Sequence, residues 1–246
     1  MFNSITLYVT SECQLECRLC AARAWAEAAG PYQMSLEELQ EFIGVCQASR
    51  YHFVEVKLTV REPLLWKNLG PGCRMLAESG ICDHLALLSN AWAFTPAREA
   101  EIVEALRPVD QLWVSQYQGN EHRVAAMVAR LPRTKILGVG LHARQPRGPV
   151  PNSLPADCSC RGFGLFRSMV TLCPAIPNLY ATLGRDSSLY PSYCKPLKVG
   201  CMDNFDVAAR HLQEHCQHCL GNVLVMRAMP LEPTRVPGPS ANPEML

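Results

Sequence analysis

From Ser4 to Thr10 the chain reads Ser-Ile-Thr-Leu-Tyr-Val-Thr, a run rich in β-branched residues that stops where cysteines begin. Such a run predicts a strand feeding a loop. Ser35-Leu-Glu-Glu38 has the form of a capping box, and Leu36, Leu39, Ile43 and Cys46 follow at helical spacing, which predicts a helix with one apolar face. Val54, Val56, Leu58 and Val60 then alternate with Glu55, Lys57 and Thr59, a second strand. The unit repeats: Leu85 to Leu88 reads as a strand, Thr95-Pro96 starts a helix through Leu106, Gln111 to Ser115 is a strand, His122 to Leu131 a helix and Lys135 to Leu141 a strand. Five strands alternating with helices predict an α/β fold with a parallel sheet and right-handed crossovers. Five are too few to close an eight-stranded barrel, so an open or partial one is expected.

Proline punctuates the rest. Pro146, Pro149, Pro151 and Pro155 fall within ten residues and place a boundary near residue 145. Pro230, Pro233, Pro237, Pro239 and Pro243 crowd the last seventeen residues, which predicts a tail over 230–246 that is disordered or draped on the surface. The expected division is 1–145, 146–229 and that tail.

Composition changes the picture through one residue type. The 246 residues include thirteen cysteines. A chain of this length can bury a full core without disulfides, and Met1 to Thr10 shows no signal-peptide pattern. The expectation is a cytoplasmic protein that keeps cysteines for metal or chemistry. Lys plus Arg number 23 against 22 for Asp plus Glu, so there is no basic field of the kind nucleic-acid binders use, and no apolar run reaches the length of a membrane span. Neither nucleic acid nor membrane is an expected partner. Three cysteines lie at Cys13, Cys17 and Cys20, seven fall between Cys158 and Cys219, and Asp83 to Asp157 holds none. Two clusters at opposite ends predict two metal sites. The isolated Cys46, Cys73 and Cys82 read as packing residues.

Cys13-x3-Cys17-x2-Cys20 directly after the first strand resembles the radical S-adenosylmethionine superfamily. The resemblance implies that these three thiolates hold three irons of a [4Fe-4S] cluster, whose open iron chelates S-adenosylmethionine for reductive cleavage to a 5′-deoxyadenosyl radical. A zinc knuckle would require a fourth Cys or His at matching spacing, and none precedes His52. After the second strand the family carries Gly-Gly-Glu-Pro to hold the methionine amino group; here Glu62 and Pro63 match, while Val60 and Arg61 replace the glycines. Leu19 occupies the place of a common adenine-contacting aromatic. Ser89, Asn90 and Ser115 end strands at places where the family has polar cofactor contacts. The resemblance covers about residues 4–141 and implies a partial (β/α)6-type parallel barrel followed by a small cysteine-rich domain.

In the second cluster, Cys160 and Cys173 flank two short apolar runs around a polar centre, which predicts a β-hairpin. Cys216-x2-Cys219 follows the helical pattern of Val207 to His215. Together they make a four-thiolate set for iron–sulfur or zinc, with Cys158 as a rival for Cys160 and Cys194 and Cys201 as further rivals. The arrangement resembles the Twitch/SPASM-type auxiliary [4Fe-4S] domain, whose usual hairpin has Gly where this chain has Ser168. His142, His211, His215 and His218 read as solvated or structural. Arg144 and Arg147 either meet an anionic group or solubilise the linker.

Similar enzymes oxidise or epimerise aminocyclitols and sugars, and others modify peptides. The chain's length favours a small polar metabolite, with a ribosomal peptide as the alternative and a non-enzymatic iron–sulfur or zinc sensor as a second one. An epimerase would need a thiol hydrogen donor, for which Cys194 and Cys201 are the catalytic candidates. A flavodoxin- or ferredoxin-type protein is the expected electron donor.

Overall fold

The structure is a computed structural model that describes residues 4–17, 26, 30–117, 119–138, 162–171, 194–203 and 233–235. The boundary expected near residue 145 lies outside the described residues.

Strand β1 spans Ser4–Tyr8, β3 Phe53–Thr59, β4 Cys82–Ser89, β5 Gln111–Gln116 and β6 Thr134–Gly138. A three-residue strand, β2, covers Leu15–Cys17. Helices α1 (Leu36–Ala48), α2 (Leu69–Glu78), α3 (Glu99–Ala105) and α4 (Glu121–Arg130) lie between the long strands. Beyond residue 161 come β7 (Gly162–Phe166), β8 (Met169–Thr171) and β9 (Cys194–Pro196). One eight-stranded sheet has the order β6-β5-β4-β3-β1-β7-β8-β9. Its first six strands are parallel, and β8 and β9 are added antiparallel. The alternation thus yields an α/β fold with a mostly parallel sheet. A sixth parallel strand, β7, enters from the cysteine-rich half and pairs with β1, with Ile5 opposite Phe163.

Register puts Ile5, Leu7, Val56, Leu58, Leu85 and Leu87 on one face. All six are buried with Leu39, Phe42, Leu76, Ile102 and Met127 from the helices in one core. The opposite face carries Thr6, Glu55, Lys57, Trp113 and Lys135 by the same register. There Lys57 Nζ pairs with Glu55 at 2.7 Å, and Lys135 sits 5.3 Å over the Trp113 ring.

The capping box of α1 forms in full: Glu38 N–H donates to Ser35 Oγ at 3.1 Å, and Ser35 N–H donates to Glu38 Oε2 at 2.9 Å. The helix predicted from Thr95 begins at Glu99, because Thr95 to Arg98 close a turn through Arg98 N–H and the Thr95 carbonyl at 2.9 Å. Helix α2 escapes sequence periodicity because Gly70, Pro71 and Gly72 fill its first turn. Pro71 is tolerated there, where N–H groups have no helical partner. Gly72 is required by the Trp66 ring: a Cβ on residue 72 would lie 2.0 Å from it. Within the proline-rich tail, Pro233–Arg235 forms strand β10, antiparallel to β2 with Pro233 opposite Cys17. Of the tail expected to be disordered or draped on the surface, these three residues are paired with β2.

The predicted hairpin is present, with Gly164 opposite Thr171. Its two-residue turn holds Arg167 at φ 46° and Ser168 at φ 53°. Positive φ at both positions is the type I′ form of a two-residue hairpin turn, so Ser168 stands where glycine would meet no steric cost.

Candidate functional site at the strand C-termini

Cys13 follows β1 at the C-terminal end of the parallel strands, the end at which such sheets bind ligands. Its loop is stitched to the segment after β3. Glu62 N–H donates to the Glu12 carbonyl at 3.0 Å, and Arg61 Nε donates to the Ser11 carbonyl at 3.0 Å. Tyr32 N–H donates to Ser11 Oγ at 2.8 Å, and Thr10 Oγ1 accepts from Gln33 Nε2 and from Glu12 N–H, each at 3.0 Å.

Val60 and Arg61 keep the backbone form that glycine would adopt freely, with φ 72° and 62°. A β-branched residue in this region is a genuine outlier, and each position costs about 1–2 kcal/mol. Arg61 offsets part of this through its bond to Ser11. The strain sits where the chain turns back toward the Cys13 loop.

Glu62 is fully buried. Its Oε1 accepts from Leu64 N–H at 3.0 Å and from the Ser89 hydroxyl at 2.8 Å, and Oε2 accepts from Asn90 N–H at 2.7 Å. Burial pushes its carboxyl up to about 7, against the pull of these donors. The carboxylate therefore ties the end of β3 to the end of β4, and Pro63, buried, opens the single 3-10 turn after it. Ser89 is equally internal, accepting from Ala91 N–H at 2.8 Å.

Asn90 extends the network to sulfur. Its Oδ1 accepts from Trp92 N–H at 2.8 Å, and its Nδ2 donates to Cys13 Sγ at 3.4 Å. Leu15 N–H is a second donor to the same sulfur at 3.4 Å. The residue that sequence reasoning missed is Asn120, which is fully buried. Its Nδ2 donates to the Asn90 carbonyl at 2.6 Å and to the Ser115 carbonyl at 3.0 Å, while Oδ1 accepts from Tyr117 N–H at 2.7 Å. It clamps the ends of β4 and β5. An asparagine just before a helix looks like an ordinary cap, so only the fold separates the two roles. Arg123 lies over the Trp92 ring at 4.9 Å and donates to its carbonyl, holding the same corner.

The structure thus brings together Cys13, Glu62, Pro63, Ser89, Asn90 and Ser115. Cys17 lies in β2, four residues from Cys13. Leu19, Cys20, Cys158, Cys160, Cys173, Cys216 and Cys219 lie outside the described residues, and so does the side chain of Cys194. Cys201 is buried, and the residues around it dock on the far end of α1: Gly200 N–H donates to Ser49 Oγ at 3.0 Å and Met202 N–H to the Tyr51 hydroxyl at 3.1 Å. That places it beside Tyr51, which precedes β3, at the opposite end of the strands from Cys13. Cys46 and Cys73 are completely buried, which pushes each thiol up to about 12, and the half-buried Cys82 is pushed up to about 11. These three are packing residues.

Comparison with known proteins adds to this geometry. The crystal structure of BtrN in complex with AdoMet and 2-DOIA superposes with a TM-score of 0.55 at 17% identity, covering 72% of this chain and 75% of that one. The chain shares the fold of BtrN. A second BtrN structure, in an open conformation, matches with a TM-score of 0.41 at 18% identity over 58% of this chain and 59% of that one. No family model matches the sequence, and no curated protein does.

The donor set at Cys13 fits a thiolate-bound metal cluster. Its sulfur accepts from two N–H groups, which favours negative charge on it, and Cys17 is near in sequence. Among the described residues no three metal-ligating side chains converge, and no helix is long and apolar enough to cross a membrane.

Proposed function

We propose that the chain is a radical S-adenosylmethionine enzyme that removes a hydrogen atom from a small polar metabolite, with net dehydrogenation or epimerisation of a sugar- or aminocyclitol-like ring. The observation that carries this reading is Cys13 in a loop pinned to the ends of β3 and β4, on the fold of a protein that binds AdoMet. Cys13, Cys17 and Cys20 would hold the catalytic [4Fe-4S] cluster. Bound there, the cluster and S-adenosylmethionine supply one-electron cleavage of the sulfonium and abstraction of a substrate hydrogen.

The chain's own residues supply position. Glu62, Ser89 and Asn90 hold the two strand ends in one arrangement, and Val60 and Arg61 present strained backbone to the cofactor side. The polar sheet face, with Thr6, the Glu55–Lys57 pair and Trp113, supports a hydroxylated or amino-bearing substrate rather than an apolar one. Cys160, Cys173, Cys216 and Cys219 would hold an auxiliary [4Fe-4S] cluster, a reading supported by the antiparallel hairpin that separates the first two. Electrons would come from a flavodoxin- or ferredoxin-type donor.

Anaerobic reconstitution followed by S-adenosylmethionine and a strong reductant tests the reading. Formation of 5′-deoxyadenosine is expected, and its absence with an intact cluster refutes it. A Cys13/Cys17/Cys20 to Ala variant should retain iron at the second site, and zinc alone there refutes the auxiliary cluster. In heavy water, solvent deuterium in the product marks epimerisation, and an oxidised product without it marks dehydrogenation.

A further inference from the structure

We propose that the Asn90 carboxamide sets the reduction potential of the cluster bound through Cys13, by a side-chain hydrogen bond to the ligating sulfur. The inference rests on the radical S-adenosylmethionine reading and adds a role that the resemblance does not assign.

Every polar group of Asn90 is engaged, and in one sense only. Its N–H donates to Glu62 Oε2 at 2.7 Å and its carbonyl accepts from Asn120 Nδ2 at 2.6 Å. Its Oδ1 accepts from Trp92 N–H at 2.8 Å. That last bond fixes the orientation of the amide: a backbone N–H can only donate, so the atom facing Trp92 is oxygen and the one facing sulfur is the NH2 group. The donor aimed at Cys13 Sγ, 3.4 Å away, therefore follows from chemistry as well as from placement. Asn90 is 7% exposed, so water does not compete freely for the bond.

A reduced cluster carries one more negative charge than its oxidised form, spread partly over its sulfurs. A donor at a ligating sulfur stabilises the reduced form more and raises the potential. Leu15 N–H supplies a similar bond at 3.4 Å, but it belongs to the loop's own backbone. Asn90 comes from 77 residues away in sequence, so it reports the arrangement of β4 to the cluster. Asn120 acts through Asn90 as a positioning residue.

The test uses the full-length reconstituted protein and follows the EPR signal of the reduced cluster that S-adenosylmethionine perturbs, which identifies the Cys13 site. In Asn90→Ser the side chain is too short to reach sulfur; in Asn90→Asp an acceptor faces it. Both should lower the ratio of reduced to oxidised cluster at a fixed poise, Asn90→Ser by about three- to tenfold, equivalent to about 30–60 mV for one electron, and Asn90→Asp by more. An S-adenosylmethionine-sensitive signal whose midpoint is unchanged in both variants overturns the inference and leaves the functional reading standing. Wild-type protein without such a signal refutes the functional reading itself, and the inference with it. Should the variants fail to hold iron, wild-type protein carrying side-chain 15N-asparagine decides: pulsed EPR of the same signal is expected to show a 15N coupling, and its absence overturns the inference.

Discussion

Replacing Glu62 with glutamine separates the hydrogen-bonding role of this buried carboxylate from its charge. Three donors converge on the side chain, two at Oε1 and one at Oε2. A glutamine that keeps its oxygen toward Leu64 and Ser89 must turn its NH2 toward the Asn90 N–H, donor against donor. A buried donor left unsatisfied costs about 1–3 kcal/mol. Charge works the other way. Burial raises the carboxyl from its ordinary 4.5 to about 7, so between these values the folded state holds a proton that the unfolded chain has released. Stability then falls as pH rises through that window, by about 3 kcal/mol in all. Glu62→Gln escapes this loss. The variant should be less stable than wild type by about 1–3 kcal/mol at pH 5, and the deficit should shrink by roughly 2–3 kcal/mol by pH 8. Denaturant unfolding followed by circular dichroism at pH 5, 6.5 and 8 measures this directly. A difference that is constant with pH, or that grows toward pH 8, refutes a Glu62 carboxyl raised by burial and held by three donors.

Asn120→Ala removes three hydrogen bonds at a fully buried position and should cost about 2–4 kcal/mol; an unchanged melting temperature would show that Asn120 does not clamp the strand ends. Gly72→Ala drives a methyl into the Trp66 ring and should cost about 1–3 kcal/mol, visible as a lower denaturant midpoint, whereas wild-type stability would mean that the ring yields freely. Ser168→Gly relieves the φ of 53° in the hairpin turn and should stabilise the protein by about 0.5–1 kcal/mol, a gain read as a higher melting temperature and refuted by a loss.

Where the signal was local, the chain announced its structure in one dimension. The capping box at Ser35 and Glu38 closes as written, and the hairpin between Cys160 and Cys173 forms around Arg167 and Ser168. The alternation of β3 survives at Val56 and Leu58, which are buried between half-buried Glu55, Lys57 and Thr59, while Val54 is exposed and Val60 falls beyond the strand. Each depends on residues within a few positions of one another, so spacing alone carries the physics. Helix α2 shows the limit: its glycines argue against a helix until the Trp66 ring is seen to occupy the space that a Cβ would fill.

The chemistry divides in the same way. Sequence alone grouped Cys13, Cys17 and Cys20 and marked Glu62, Ser89, Asn90 and Ser115 as polar residues at strand ends. Only the tertiary structure turned Glu62 inward as a bond among strands, aimed Asn90 at the Cys13 sulfur, recruited Asn120 from an apparent cap, and set Cys201 at the far end of α1. A parallel sheet brings together strand ends that lie tens of residues apart in the chain. Which of their polar groups face each other depends on register and packing across those separations, and local pattern carries no record of it.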